Sequence, residues 1–231
     1  MAETGSRTLT EIPFCLDAEG LLKKAHVERG GRDETEFREM LSLAEKVGRP
    51  KALYRVAYLE EKGPDTIRVE GVLLRSAALA RNLSQSERVF AYVATCGTEM
   101  DESPPSNDDP LKPFWWDTIK EALLRIALSH LMEQMNELHR LGKTAHMSPG
   151  SGDVGVWPIE QQKDLFQILG DVEGEIGVEL TPSFLMRPNK TVSGIRFPTE
   201  RDYRACQVCH RENCSSRSAP LDEKLWADLM G

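Results

Sequence analysis

With 231 residues, the chain is long enough to bury a full hydrophobic core as one large domain or two small ones. Lys and Arg total 29 against 37 Asp and Glu, a net charge of −8 with the basic residues scattered, which argues against nucleic acid held by phosphate neutralisation. Five cysteines, an odd number with three clustered, argue against a secreted disulfide framework, and the polar start "MAETGSRTLTEIP" and the lack of any 18-residue apolar run predict a cytoplasmic protein with no membrane span.

Residues 1–33 are charged and broken by "RGGRD", and read as an N-terminal arm. From Glu34 the periodicity becomes helical, with Phe37, Leu41, Ala44 and Val47 on one face and Gly48 and Pro50 as stop signals. "ALYRVAYLEE" (52–61) and "TIRVEGVLL" (66–74) read as strands, "SAALARNL" (76–83) as a short helix. "RVFAYVATCG" (88–97) is apolar throughout and predicts a buried central strand. The acidic stretch "GTEMDES" that follows, with Glu99, Asp101 and Glu102, and the proline-rich "ESPPSNDDP" (102–110) read as loop.

"FWWDTIKEALLRIALSHLMEQMNELHRLG" (114–142) is the strongest helical signal. Ile119, Leu123, Ile126, Ala127, Leu131, Met135 and Leu138 keep helical spacing, and the helix would run roughly 40 Å, the width of the domain. Beyond it lies a glycine-rich stretch, "HMSPGSGDVGVWP" (146–158). Pro158 then opens a helix, "PIEQQKDLFQILG", so that backbone N–H groups and a helix start lie together in an arrangement suited to an anionic or polar ligand. Two more strands are expected, "IGVELTPSFLM" (176–186) and "TVSGIRF" (191–197). Strands and helices without regular βαβ alternation indicate an α+β fold.

The last part of the chain, 201–231, carries Cys206, Cys209 and Cys214 in a C-x2-C-x4-C array. Three thiolates at this spacing point to zinc or an iron–sulfur cluster, both of which usually take four ligands. Cys96, at the end of the central strand, and His210 are the candidates for the fourth position.

Taken together, "SPGSGDVGVWPIEQQKDLFQILG", "IGVELTPSFLMRPNKTVSGIRF" and "CQVCHRENCSSR" resemble the activation domain of cobalamin-dependent methionine synthase, and more closely its free-standing relatives. The resemblance runs from about Pro50 to Arg217 and makes 34–200 the activation-domain-like unit. It implies a C-shaped α+β domain with a twisted antiparallel sheet and a long central helix. It also implies a role as an accessory protein for reductive reactivation of a corrinoid-dependent methyltransferase in methionine biosynthesis.

The expected partners are a corrinoid protein carrying cobalamin and a low-potential electron donor, with S-adenosylmethionine as ligand. The family loop reads R-P-A-P-G-Y, its Arg and Tyr helping to hold S-adenosylmethionine. Here His146, Met147, Ser148, Pro149, Gly150 and Ser151 stand in its place, so the expected ligand-binding residues are His146, Ser148, Pro149, Gly150, Ser151 and Gly152. Since making Co(I) demands a very low potential, a redox role for the cysteines favours a cluster over a thiol pair. The alternative is a non-catalytic docking module with a structural zinc site.

Overall fold

The computed structural model describes residues 5–106, 109–153, 155–214 and 217–231. Its first elements are β1 (Ser6–Leu9), α1 (Ala18–Lys24) and α2 (Arg32–Val47), followed by β2 (Lys51–Lys62), β3 (Thr66–Val69), β4 (Val72–Arg75), α3 (Ala77–Asn82) and β5 (Arg88–Thr95). Next come α4 (Glu99–Glu102), the long α5 (Leu111–His139), β6 (Thr144–Met147), α6 (Gln162–Leu169) and α7 (Val172–Ile176). The chain ends with β7 (Glu179–Leu180), β8 (Met186–Arg187), β9 (Thr191–Pro198) and α8 (Glu223–Met230).

The main sheet is antiparallel, in the order β4-β3-β2-β5-β9-β6, with β1 paired to the first half of β2. The first residues are therefore not an arm: Ser6–Leu9 lie in register with Ala52–Arg55 and extend the sheet. Asp17 then caps α1 by accepting from Gly20 N at 3.1 Å. "TIRVEGVLL" is a hairpin and not one strand, because Glu70 and Gly71 both have positive φ (49° and 78°), the geometry of a tight two-residue turn. "IGVELTPSFLM" is likewise not one strand, being divided among α7, β7, a turn and the start of β8.

Both faces of the sheet are covered. On one, Val89, Ala91 and Val93 of β5 pack with Ile195 and Phe197 of β9 beneath α3, α6 and the C-terminal residues Tyr203, Val208 and Leu229. On the other, Phe90, Tyr92 and Ala94 meet Ala127, Leu131 and Met135 of α5. The first half of α5 instead packs Trp115, Ile119 and Leu123 against α1 and α2. Burial of β5 on both sides explains its continuous apolar run, each large side chain contributing roughly 1.5–3 kcal/mol of transfer free energy. Leu138, expected on the buried stripe of α5, is instead 46% exposed, and Ile126 is only partly buried. No helix among the described residues is long and apolar enough to cross a membrane.

Candidate functional site

The β6 strand forms one edge of the sheet, and its alternation sends residues to both faces. Ala145 and Met147 enter the core beneath α6, whereas His146 lies directly across from Arg196 of β9. Arg196 is almost buried, and its guanidinium donates to Met132 O (3.0 Å), Asn136 Oδ1 (2.7 Å) and Thr144 Oγ1 (2.9 Å). His146 keeps solvent access along part of the ring. The surrounding protein and the Arg196 charge nevertheless both disfavour imidazolium, so its pKa lies below the ordinary value of 6.5.

One step along, the hydroxyl of Ser148 bonds that of Tyr92, whose pKa burial raises to about 12. Gly194 makes this approach possible: a Cβ there would lie 2.6 Å from Ser148 Oγ and 3.0 Å from Tyr92 Oη. His146 and Ser148 thus belong to one polar strip with Tyr92 and Arg196. Pro149 is buried, and Gly150, at φ +73°, donates its N–H to Trp157 O at 2.8 Å. Ser151 N donates to Ser148 O at 3.2 Å. The amides of Gly150 and Ser151 therefore close the loop on itself and do not point to a ligand.

The far end of the loop is fastened by glutamines. Gln161 accepts from Arg75 N at 2.6 Å, and its amide also bonds Arg75 O, while Gln162 bonds Ser193 Oγ and lies 3.3 Å from Met186 Sδ. Pro158 precedes a single 3-10 turn, Ile159–Gln161, and α6 begins only after it.

Gly152, at φ +81°, faces the cysteine segment. A Cβ there would sit 3.5 Å from Ala205 O and 3.7 Å from Cys209 Cβ, and the neighbouring Asp153 Oδ2 lies 3.2 Å from His210 Nδ1. The fold therefore brings the glycine-rich loop and the cysteine array together.

Cys96, the expected fourth ligand, does not join the three cysteines of the tail. Cys96 lies in the cluster of Trp115, Ile119 and Leu123, on the α5 side of the sheet, whereas the C-terminal segment packs on the opposite face. Burial raises the Cys96 thiol to about 12, as befits an inert core residue. Among the described residues no three His, Cys, Asp or Glu side chains are gathered closely enough to hold a metal ion. Cys206 Sγ instead accepts from Ser218 N (3.5 Å) and Ser218 Oγ (3.4 Å), contacts that hold its pKa below the ordinary thiol value. Cys209 is buried, and His210, besides meeting Asp153, packs edge-on against Trp226 at 4.3 Å.

The acidic stretch after β5 is a short helix, two of whose carboxylates are paired. Glu99 meets Lys51 Nζ at 2.6 Å, and Asp101 bonds the buried Lys120.

No protein-family model matches the chain, and no curated protein matches it. Its backbone is, however, similar to the crystal structure of the MetH reactivation domain bound to AdoHcy. That similarity has a TM-score of 0.59 at 15% identity and covers 88% of this chain and 82% of the other. The fold is that of the MetH reactivation domain. The expected α+β architecture, an antiparallel sheet crossed by a long helix, is the one observed.

Within this MetH-type fold the sequence missed Arg196, Tyr92 and the two glutamines. A lone Arg inside the apolar run "SGIRF" was the available signal for the first. Tyr92, by contrast, reads as one more core residue until Gly194 is seen to make room beside it.

Proposed function

We propose that this chain is an accessory protein for reductive reactivation of a cobalamin-dependent methyltransferase of the methionine synthase type. It would dock on the corrinoid of that partner while a low-potential donor supplies the electron. The observation that carries this reading is the shared fold over 88% of the chain with a domain that serves reactivation in MetH. The antiparallel sheet and the long α5 are parts of that shared architecture. Five free cysteines suit the reducing cytoplasm in which we place it.

The bound AdoHcy of the MetH domain brings S-adenosylmethionine into consideration. Pro149 and Gly150 retain the family turn, but neither His146 nor Arg196 is placed to act as a cationic clamp for the ligand's carboxylate. His146 is held toward its neutral form, and Arg196 already bonds Met132, Asn136 and Thr144. His146 and Arg196 do not fit that part of S-adenosylmethionine. Neither an iron–sulfur cluster nor zinc is part of this reading, since among the described residues no three His, Cys, Asp or Glu side chains are gathered to hold one. The chain's own contribution is then to dock, to cover the corrinoid and to exclude water during electron transfer.

The test is to mix the chain with a cobalamin-carrying methyltransferase trapped as Co(II), add a low-potential reductant, and follow corrinoid absorption with and without S-adenosylmethionine. The expected result is a complex on gel filtration and chain-dependent loss of Co(II). An unchanged rate together with no complex overturns the reading.

A further inference from the structure

We propose that Cys206 and Cys209 form a dithiol that exchanges with low-molecular-weight disulfides, Cys206 as the attacking sulfur and Cys209 as the resolving one. This goes beyond the reactivation role and starts from the cysteine array, where among the described residues no three metal-ligating side chains gather.

Ala205–Val208 form a 3-10 turn that Cys209 follows as an extended cap residue, so Cys206 and Cys209 are separated by three residues of advance along it. At the 3-10 rise of about 2.0 Å per residue, their Cα atoms come to about 6 Å apart. A disulfide spans Cα separations of about 4.4–6.8 Å, so this pair can close without unwinding the turn.

The surroundings distinguish the two sulfurs. Cys206 is partly exposed, and its sulfur receives two hydrogen bonds from Ser218, which favour a thiolate. Cys209 is 7% exposed and packed beside Gly152, poorly placed for first attack by an external disulfide but adjacent to Cys206. Arg217 fixes the frame by donating to Cys206 O and Cys209 O, each at 3.1 Å, and brings a positive charge to the turn. Cys214 lies beyond this turn, its carbonyl accepting from Arg217 N at 3.2 Å.

In the reaction, the Cys206 thiolate attacks one sulfur of an external disulfide, such as oxidised glutathione. The external S–S bond breaks, a mixed disulfide forms and one glutathione thiolate leaves. Cys209 gives up its proton to that thiolate, and its sulfur attacks Cys206 Sγ, forming the internal disulfide and releasing the second glutathione. Two protein thiols are oxidised and one external disulfide is reduced to two thiols.

Trypsin makes the test specific. It cuts after Arg204, Arg211 and Arg217, so Cys206 and Cys209 share peptide 205–211 while Cys214 lies in 212–217. The full reduced chain is incubated anaerobically with oxidised glutathione, quenched in acid, alkylated and digested. The expected product is peptide 205–211 two hydrogens lighter. Cys209→Ser should trap one glutathione on Cys206, and Ser218→Ala should slow the first step about tenfold.

A disulfide joining the two peptides, glutathione accumulating on Cys209, or an unchanged rate in Ser218→Ala would each overturn the assignment. So would stoichiometric zinc or iron in the anaerobically purified chain that shields all three thiols from alkylation.

Discussion

Asp153 and His210, 57 residues apart in sequence, meet at 3.2 Å and tie the glycine-rich loop to the cysteine segment. The same imidazole rests edge-on against Trp226 of α8, so one side chain links the loop, the segment and the last helix. Replacing His210 with Ala removes both contacts, a loss of about 1 kcal/mol at this largely exposed position. Amide exchange in the loop around Gly150 and Ser151 should quicken about fivefold, with α5 unchanged. Equal exchange in the two proteins would show that the loop is held from elsewhere.

Gly150 should tolerate no side chain. Its φ of +73° disfavours other residues, and a Cβ would lie 2.9 Å from Ile159 Cβ. Gly150→Ala is expected to cost about 1–3 kcal/mol in urea unfolding. Trimming Ile159 to Ala in the same chain removes Cγ1 and Cδ1, 3.0 and 3.2 Å from the added Cβ, but keeps Ile159 Cβ, so only part of the steric cost should be recovered. Full recovery would mean that backbone strain contributes nothing.

Along α5, Leu123 and Leu131 are fully buried, one against α1 and α2 and the other against the sheet. Changing either to Ala should cost about 2–5 kcal/mol through lost transfer energy and the cavity left behind. Leu138, on the same helix but exposed, should change stability by less than about 0.5 kcal/mol. Chemical denaturation of the three variants checks the order.

The buried ammonium of Lys120 bonds Asp101 and donates to Asn189 Oδ1 at 2.5 Å, joining α4, α5 and the segment before β9. Asp101→Asn leaves the cation without its counter-charge and should destabilise by about 1–3 kcal/mol. Lys120→Met removes the charge that needs compensation and should cost less. The opposite order in denaturant titrations would show that Lys120 does not need its carboxylate.

His146 provides a pH signature. Burial and then Arg196 lower its folded pKa, so near and below 6.5 the unfolded chain binds more protons than the folded one. The neutral ring's contribution to stability is therefore complete above pH 6.5 and is lost as pH falls through the lower folded value. NMR titration should give a midpoint below that of a free histidine, and His146→Asn should flatten this part of the stability profile. A midpoint at or above 6.5 would show that neither burial nor Arg196 disfavours the imidazolium.

Much of the architecture was legible because its signals are periodic. The apolar run of β5 and the helical stripe of α5 fixed two central elements, although the stripe overran to Leu138 because spacing alone does not show where a partner surface ends. Short elements were harder: α8, α4 and the β7–β8 pair have too few residues to show a period. The turn at Glu70–Gly71 hid inside a run of strand formers, and β1 was missed because "SRTL" acquires its role only by pairing with β2.

For the site, residue types identified the loop and the cysteines, but only tertiary structure shows them in contact. C-x2-C-x4-C spacing does not reveal that a serine occupies the space beside Cys206, nor that Cys96 faces away across the sheet.

Arg196 has a mechanical consequence. By bonding Met132 and Asn136 on α5 and Thr144 at the start of β6, it welds the long helix to the sheet edge just before the glycine-rich loop begins. Gln161 and Gln162 rivet the other end. Both ends of the loop are thereby anchored to the same sheet, so a substitution at Arg196 or at either glutamine acts on the loop from a distance.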